Sequence, residues 1–308
     1  MDKDIWTYED VRKAIIQGNP HLEIILSKYL KSLVLRICRC EIAIDNVATI
    51  DELNQKVLAG IEQLEVFRKD MLSVVDLFAP SRHPLLSVYL PRFFMDLLNQ
   101  YEQQGINLYT DNNVESLRND HFRFFNQLLM VSLASLLVEN RCFEALYSVV
   151  HTKYVVQYRS YNGMSNGVSF IRFSSYNYTL NENLNTTSPR RISVSADKAL
   201  LLTGKGEFMK LVRADVLLYY LSLWNHTGDI IDRYWNPEYS VYNRYSEILP
   251  LLVSRGYFEE SKVLFGVSSI DEFRYKLDTT EDMLERNGLY RVPRIKVGLL
   301  YDSVGSQE

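Results

Sequence analysis

One stretch of the chain is apolar on nearly every side of a helix. Residues 124–138 carry no charge between Arg123 and Glu139, and eleven of these fifteen residues are apolar. A helix with so little polar surface has to be surrounded by protein. At about 1.5 Å per residue the run extends for roughly 22 Å, which is less than a membrane core requires. The pattern therefore predicts the central helix of an all-helical core.

The N-terminal region shows a second clear periodicity. Residues 50–79 carry an apolar side chain at every seventh position, and Thr49 and Glu52 form a capping box in front of them. Residues 21–44 space their apolar side chains by alternating steps of four and three, as in a helix packed along another helix. The short linker at 45–49 favours antiparallel neighbours. We expect a long helical hairpin here.

Helical periodicity and capping signals continue along most of the chain. Residues 136–144 resemble residues 251–259, which predicts two similar helix–turn–helix units. Gly204 interrupts one of the later helices. The further predicted helices are 7–17, 85–104, 142–151, 195–202, 208–225, 237–255, 257–265 and 269–277.

Residues 152–194 break the helical pattern. Residues 154–158 and 169–173 alternate like short strands and are separated by Asn-Gly turns, and the polar run 181–188 predicts a flexible loop. The predicted fold class is therefore mainly α, a multi-helical bundle of helical hairpins with a small inserted β-hairpin and an irregular loop. The predicted domains are an N-terminal hairpin at 1–80, a helical core at 81–278 that holds the insert at 152–194, and an extended tail at 279–308, disordered from 303.

Charge and composition narrow the functional classes. The 308 residues contain 34 Lys and Arg against 38 Asp and Glu, a net charge of -4, which argues against a dedicated nucleic-acid coat or a membrane-surface protein. The chain opens with polar and acidic residues and has no run of 18 apolar residues. Three cysteines cannot make a disulfide framework. We expect a cytoplasmic protein that does not enter a membrane.

The search for catalytic chemistry predicts no catalytic, cofactor-binding or metal-binding residue. Thr203–Gly206 lacks the glycine and hydroxyl spacing of a phosphate-binding loop, and Cys38 and Cys40 point to different sides of a helix. His121, at the start of the central helix, is either a general base or a hydrogen-bonded core histidine. An enzyme of the nuclease type, built around His121, remains a further alternative.

The insert is the best candidate for an interaction site. Between His151 and Ser195 it holds five Lys and Arg residues against one acid, interleaved with aromatic residues. Such a mixture suits a protein interface, whether with a partner or with a second copy, and it also suits single-stranded nucleic acid. In a third interpretation the aromatic side chains are simply buried on the helical body. The candidate interaction residues are Arg159, Tyr161, Arg172, Tyr176, Tyr178, Arg190 and Arg191.

Several short motifs resemble a known helical domain. They are residues 191–197, Arg-Ile-Ser-Val-Ser-Ala-Asp, residues 213–215, Arg-Ala-Asp, and residues 257–267, with 136–156 as a further match. The domain occurs in bacterial proteins associated with antiphage defence, beside Toll/interleukin-receptor or sirtuin-type effectors or near ATPases. The similarity extends from about residue 50 onward. It implies a sensor or scaffold subunit whose effector lies on another chain, and it assigns no catalytic residue.

Overall fold

A computed structural model describes residues 5–43, 49–106, 108, 114–155, 167–185, 193–224, 234–242, 249–286 and 303–307. Within them the fold is mainly α, as predicted, with eleven helices and a two-stranded antiparallel sheet. The elements are α1 Tyr8–Ile16, α2 Leu22–Cys38, α3 Ile50–Phe78, α4 Leu85–Gln103, α5 Val114–Leu117, α6 Asp120–Glu139, α7 Phe143–His151, β1 Tyr154–Val155, β2 Gly167–Val168, α8 Val194–Thr203, α9 Lys205–Trp224, α10 Arg255–Phe265 and α11 Ile270–Arg286.

Helix α6 lies at the centre of the molecule. Every residue from Asp120 to Ser135 is buried, and α3 and α9 pack along its length. The predicted central helix is confirmed, although it begins earlier than the apolar run. Among the described residues, α6 is the one helix long and apolar enough to cross a membrane, and 83% of its apolar window is buried inside the protein. That burial is what a core helix requires.

Helix α3 packs mainly against α6, and it meets α2 at only a few positions, such as the Arg36–Asp70 ion pair at 3.6 Å. Thr49 caps α3 by accepting a 3.2 Å hydrogen bond from the backbone N–H of Glu52, as predicted. The seam of α3 is buried against α6, while α2 lies mainly against α4. The predicted hairpin of 21–44 with 50–79 is therefore wrong in its packing. The apolar surface of α6 needs a long cover, and α3 supplies it.

A short irregular segment separates α3 from α4. Residues Ala79–Ser81 form a 3-10 turn and Arg82 takes a left-handed conformation, so the predicted break is confirmed. The buried apolar side chains nevertheless form one continuous cluster that extends from Val11 to Val304. The division into 1–80, 81–278 and 279–308 stays a prediction, with its parts joined by a common core.

The insert contains the predicted β-hairpin in a shorter form. Strand β1 pairs with β2 so that Tyr154 faces Val168. Residues Phe170–Phe173, predicted as part of the second strand, form a 3-10 helix whose two phenylalanines are both buried. Residues Thr179–Asn183 form a π-helix whose first three residues are buried, so the predicted flexible loop is wrong over residues 181–183.

Two C-terminal predictions are wrong. The predicted helix 237–255 is replaced by 3-10 turns at Glu238–Tyr242 and Leu249–Val253, since Pro250 lacks the N–H that a helix interior needs. Residues 136–144 and 251–259 therefore do not form similar hairpins. Residues 303–307, predicted to be disordered, dock on this segment: Gly305 N–H donates to Leu252 O at 2.8 Å and Val304 is 2% exposed. The predicted extended segment 290–301 lies outside the described residues.

Candidate functional site

A buried ion pair anchors the insert to the start of α6. Arg123 Nη1 lies 2.5 Å from Asp120 Oδ1, and both side chains are fully buried. The other carboxylate oxygen of Asp120 accepts a 2.7 Å hydrogen bond from the backbone N–H of Thr179, and Asn177 Nδ2 donates to Asp120 O at 2.7 Å. Burial raises the pKa of Asp120, and the guanidinium of Arg123 opposes that rise. The carboxylate of Asp120 therefore holds Thr179, and its backbone carbonyl holds Asn177.

Two tyrosines lie on either side of the anchored Asn177. Asn177 and Thr179 are buried, whereas Tyr176 and Tyr178 are partly exposed. The tyrosine rings meet edge to face with centroids 5.0 Å apart, and Tyr176 Oη donates a 2.5 Å hydrogen bond to Glu182. Burial and the Glu182 carboxylate raise the pKa of Tyr176. The result is a rigidly supported aromatic pair at the surface.

The π-helix that follows is fixed at a second point. Asn181 Oδ1 accepts hydrogen bonds from the backbone N–H groups of Val194 and Ser195, both at 3.1 Å. Asn181 Nδ2 donates to Glu238 Oε1 at 2.8 Å, and Ser193 Oγ donates to the same oxygen at 2.6 Å. These bonds tie the π-helix to the start of α8 and to the 3-10 turn that begins at Glu238.

The structure locates three of the seven predicted interaction residues. Arg172, Tyr176 and Tyr178 are partly exposed, and we call these three residues the insert face. Tyr178 also packs against the core on one side, so part of the aromatic surface of the insert is used internally. Arg159, Tyr161, Arg190 and Arg191 lie outside the described residues.

His121 is a core histidine. It is 0% exposed, and its Nε2 lies 2.9 Å from the carbonyl oxygen of Cys40. Burial lowers the pKa of His121 to about 4. The ring occupies the space left by Gly60 of α3, where a Cβ would lie 2.8 Å from His121 Cδ2. A sealed imidazole cannot reach a substrate, so the hydrogen-bonded core interpretation is the one that fits.

Asp215 is a second buried carboxyl group with a structural role. Trp235 Nε1 donates to its Oδ1 and the backbone N–H of Tyr239 donates to its Oδ2, both at 2.7 Å. Burial raises the pKa of Asp215 to about 8. These bonds fix residues 235–239 against α9, so that Asp215, like Asp120, holds an irregular segment on the helical core.

The remaining histidine, cysteine and acidic residues of the described ranges do not converge on one site. No group of three His, Cys, Asp or Glu residues there has the arrangement of a metal site. Cys38, Cys40 and Cys142 are buried free thiols. Gly204, with φ of 78°, separates α8 from α9, as the helix-breaking interpretation of residues 203–206 predicts.

Sequence reasoning missed two arginines in helix-ending turns. Helices α1, α4 and α10 end with glycine in the left-handed conformation, at Gly18, Gly105 and Gly266. The turns after α3 and α6 instead place Arg82 at φ of 49° and Arg141 at φ of 54°. The left-handed conformation destabilises a residue with a Cβ by about 1 kcal/mol. Arginine is therefore energetically unfavourable at both positions.

Both arginines face the same carboxylate. Arg82 Nη2 lies 3.4 Å and Arg141 Nη1 lies 3.3 Å from Glu260 Oε2 on α10, and all three side chains are about half exposed. An exposed ion pair contributes about 0–1 kcal/mol. This stabilisation does not exceed the backbone cost, so tethering α10 is an insufficient reason for arginine in these turns. The signal available in the sequence was the absence of glycine after two long helices.

A pocket of about 300 Å³ adjoins Arg141. Helix α9 contributes Lys210 and Arg213 to its lining, and Tyr257 of α10 forms part of its wall. Among the described residues of that lining the acid is Glu139, which pairs with Lys210 at 2.9 Å. Arg141 in turn is paired with Glu260, outside the lining, at 3.3 Å.

Comparison with protein-family models, curated proteins and solved structures gives no match for this chain. The resemblance to the antiphage-defence helical domain stays a prediction.

Proposed function

We propose that the protein is a non-enzymatic scaffold or sensor subunit that binds a protein partner through the insert face. The observation that carries the proposal is the alternation at residues 176–179. Asn177 and Thr179 are bound to the buried Asp120, while Tyr176 and Tyr178 stand at the surface on either side of Asn177.

A fixed aromatic pair suits protein recognition. Tyrosine and arginine are enriched among residues that dominate binding energy, and rigid aromatic anchors lose little conformational entropy when they bind. The edge-to-face contact and the bond from Tyr176 to Glu182 hold the two rings before any partner arrives. Arg172 lies close by in the sequence and adds a cation to the insert face.

The buried titratable groups favour binding over catalysis. His121 is sealed against α3, Asp120 is paired with Arg123, and Asp215 holds Trp235. Each of these groups supports the packing of one segment on another. The apolar seam of α3 is covered by α6 and is not proposed as a docking surface.

The setting proposed for this binding is a bacterial antiphage-defence complex. The support is the resemblance of residues 191–197 and 213–215 to the helical domain of such systems. In that setting the effector lies on another chain, and the present protein would detect a trigger or hold the complex together in the cytoplasm.

The test is co-expression with the products of neighbouring genes, followed by purification and native mass spectrometry. A stoichiometric complex is expected with the native chain. Replacing Tyr176 and Tyr178 with serine should remove the partner without unfolding the protein, because both side chains are partly exposed. The matched control is Tyr275→Ser, since Tyr275 is 69% exposed on α11, and this variant should keep the partner.

Two outcomes would overturn the proposal. A complex that survives in the Tyr176 and Tyr178 double variant would place the interface elsewhere. A monomer that copurifies with oligonucleotide, with affinity that falls steeply as salt rises, would favour nucleic-acid binding instead.

A further inference from the structure

The pocket beside Arg141 has the composition of an anion site. Among the described residues, its lining holds the cations Arg141, Lys210 and Arg213 and the acid Glu139, which is paired with Lys210. Arg141 comes from the turn after α6, whereas the two others come from α9, so the positive charges approach from different elements. This arrangement can surround an oxyanion on more than one side.

The same pocket offers an apolar wall. Val138 and Leu251 contribute aliphatic surface, and Tyr257 contributes an aromatic ring. The guanidinium of Arg141 lies over that ring, 5.4 Å from its centroid. Ligand pockets of small molecules commonly combine such apolar walls with a few charged groups that fix orientation.

The backbone at Arg141 supports a role in binding. This chain ends three other helices with glycine in the same left-handed conformation, yet it places arginine here despite the steric cost. A guanidinium in this turn is held near the pocket by the backbone itself. Planar guanidinium groups bind carboxylate and phosphate with two parallel hydrogen bonds.

Glu260 explains how such a site remains stable when empty. Its carboxylate lies 3.3 Å from Arg141 and 3.4 Å from Arg82. If Arg141 turns toward a ligand, Arg82 can still neutralise Glu260. This gives the arginine at position 82 a purpose, because the side chain of Arg141 can then move between Glu260 and the pocket.

We propose that the pocket between α6, α9 and α10 binds a small molecule that carries a phosphate or carboxylate group on an apolar or aromatic body, with Arg141 as the principal contact of the oxyanion. Lys210 lies in the same lining, and Tyr257 packs on the body of the ligand. This site does not involve the insert face and is independent of the partner proposed above.

The test is isothermal titration of the full-length protein with phenyl phosphate and with benzoate. We expect at least one probe to bind with a Kd below about 1 mM. A preference for phenyl phosphate would identify phosphate as the recognised group, and a preference for benzoate would identify carboxylate. Inorganic phosphate should bind more weakly than phenyl phosphate, because it cannot contact the apolar wall.

Variants separate binding from folding. Arg141→Gly should weaken the better probe at least tenfold while the melting temperature stays the same or rises, because glycine suits the left-handed turn. The comparison variant, Arg82→Gly, makes the same backbone change outside the pocket. Because it leaves Glu260 to Arg141 alone, it should weaken binding, but by a smaller factor than Arg141→Gly does. Glu260→Gln should tighten binding, since Arg141 loses its competing carboxylate.

The proposal is overturned if neither probe binds the native protein below about 1 mM. It is also overturned if Arg141→Gly binds as tightly as the native chain, or if Arg82→Gly weakens binding as much as Arg141→Gly does. Loss of the protein partner in these variants is not expected, so failure of this site and failure of the proposed function are distinguishable.

Discussion

Replacing Gly60 with alanine tests the contact between α3 and α6 at its closest point. Alanine normally stabilises a helix interior by about 1 kcal/mol relative to glycine. Here the added Cβ would lie 2.8 Å from Cδ2 and 2.9 Å from Cγ of His121, well inside the 3.5–4.0 Å or so of an ordinary carbon contact. The two effects therefore have opposite signs, and the structure decides which is larger.

The imidazole of His121 has little room to yield. Its Nε2 is bound to Cys40 O at 2.9 Å, and its ring centroid lies 4.0 Å from that of Phe122. Overpacking costs about 1–3 kcal/mol, and losing the hydrogen bond to Cys40 costs about 1 kcal/mol more. We expect Gly60→Ala to lower the free energy of unfolding by about 1–3 kcal/mol after the helix-propensity gain.

Urea unfolding followed by circular dichroism measures this change, provided that the slope with denaturant stays constant. The matched control is Gly206→Ala in α9, where an added Cβ meets nothing within 4 Å. That variant should be unchanged or more stable. Replacing His121 as well should remove the clash, so a double-mutant cycle should show favourable coupling. A Gly60→Ala protein at least as stable as the native chain would refute the packing argument.

Three other perturbations have defined outcomes. Because burial raises the pKa of Asp215 to about 8, above its unfolded value of about 3.9, stability should fall by up to about 1.4 kcal/mol per unit as pH rises from about 6.5 to 8, and Asp215→Asn should flatten that slope. Between about pH 4 and 6.5 His121, whose pKa burial lowers to about 4, contributes a slope of the opposite sign, so the two groups roughly offset each other and stability should change little there. Arg123→Met leaves the Asp120 carboxylate buried without its partner and should cost about 3–5 kcal/mol. Val304→Ala should cost about 1–2 kcal/mol, because the side chain is 2% exposed. Urea unfolding at each pH or for each variant measures these changes.

Each of these expectations has a contradicting result. An unchanged slope between pH 6.5 and 8 or so in Asp215→Asn would show that Asp215 does not titrate there. An Arg123→Met protein with native stability would show that the buried pair is dispensable. A Val304→Ala protein with native stability would show that residues 303–307 do not dock on residues 252–255 in solution.

The sequence predicted the helices well where apolar periodicity was long and uninterrupted. Residues 124–138 could only be a core helix, and Thr49 marked the start of α3 through its capping bond. In the series of positions 53, 60, 67 and 74 only Gly60 lacks an apolar side chain, and the sequence does not show why. Only the packing of α3 on α6 shows that His121 fills the space.

Pairing between helices was less predictable than the helices themselves. A short linker suggested that residues 21–44 and 50–79 pack together, yet α6 competes for α3 with a longer apolar surface. The π-helix at Thr179–Asn183 was also hidden, because polar residues there look like a loop. Its order depends on partners distant in sequence, such as Glu238.

The candidate sites also differ in how far the sequence could predict them. Composition predicted the insert as an interaction surface, and Tyr176 and Tyr178 are partly exposed there. Composition could not reveal the anchoring role of Asp120, since a single acid in a helix start is common. The Arg141 pocket was invisible for a further reason: backbone conformation, and not residue type, marks Arg141 as unusual.

Hydrogen–deuterium exchange of the protein alone and in its purified complex tests the proposed function most directly. If the insert face binds the partner, peptides covering residues 172–184 should become protected in the complex. Peptides from α1 should exchange at an unchanged rate. Complex formation that leaves residues 172–184 unprotected would contradict the assignment of the insert face as the binding surface.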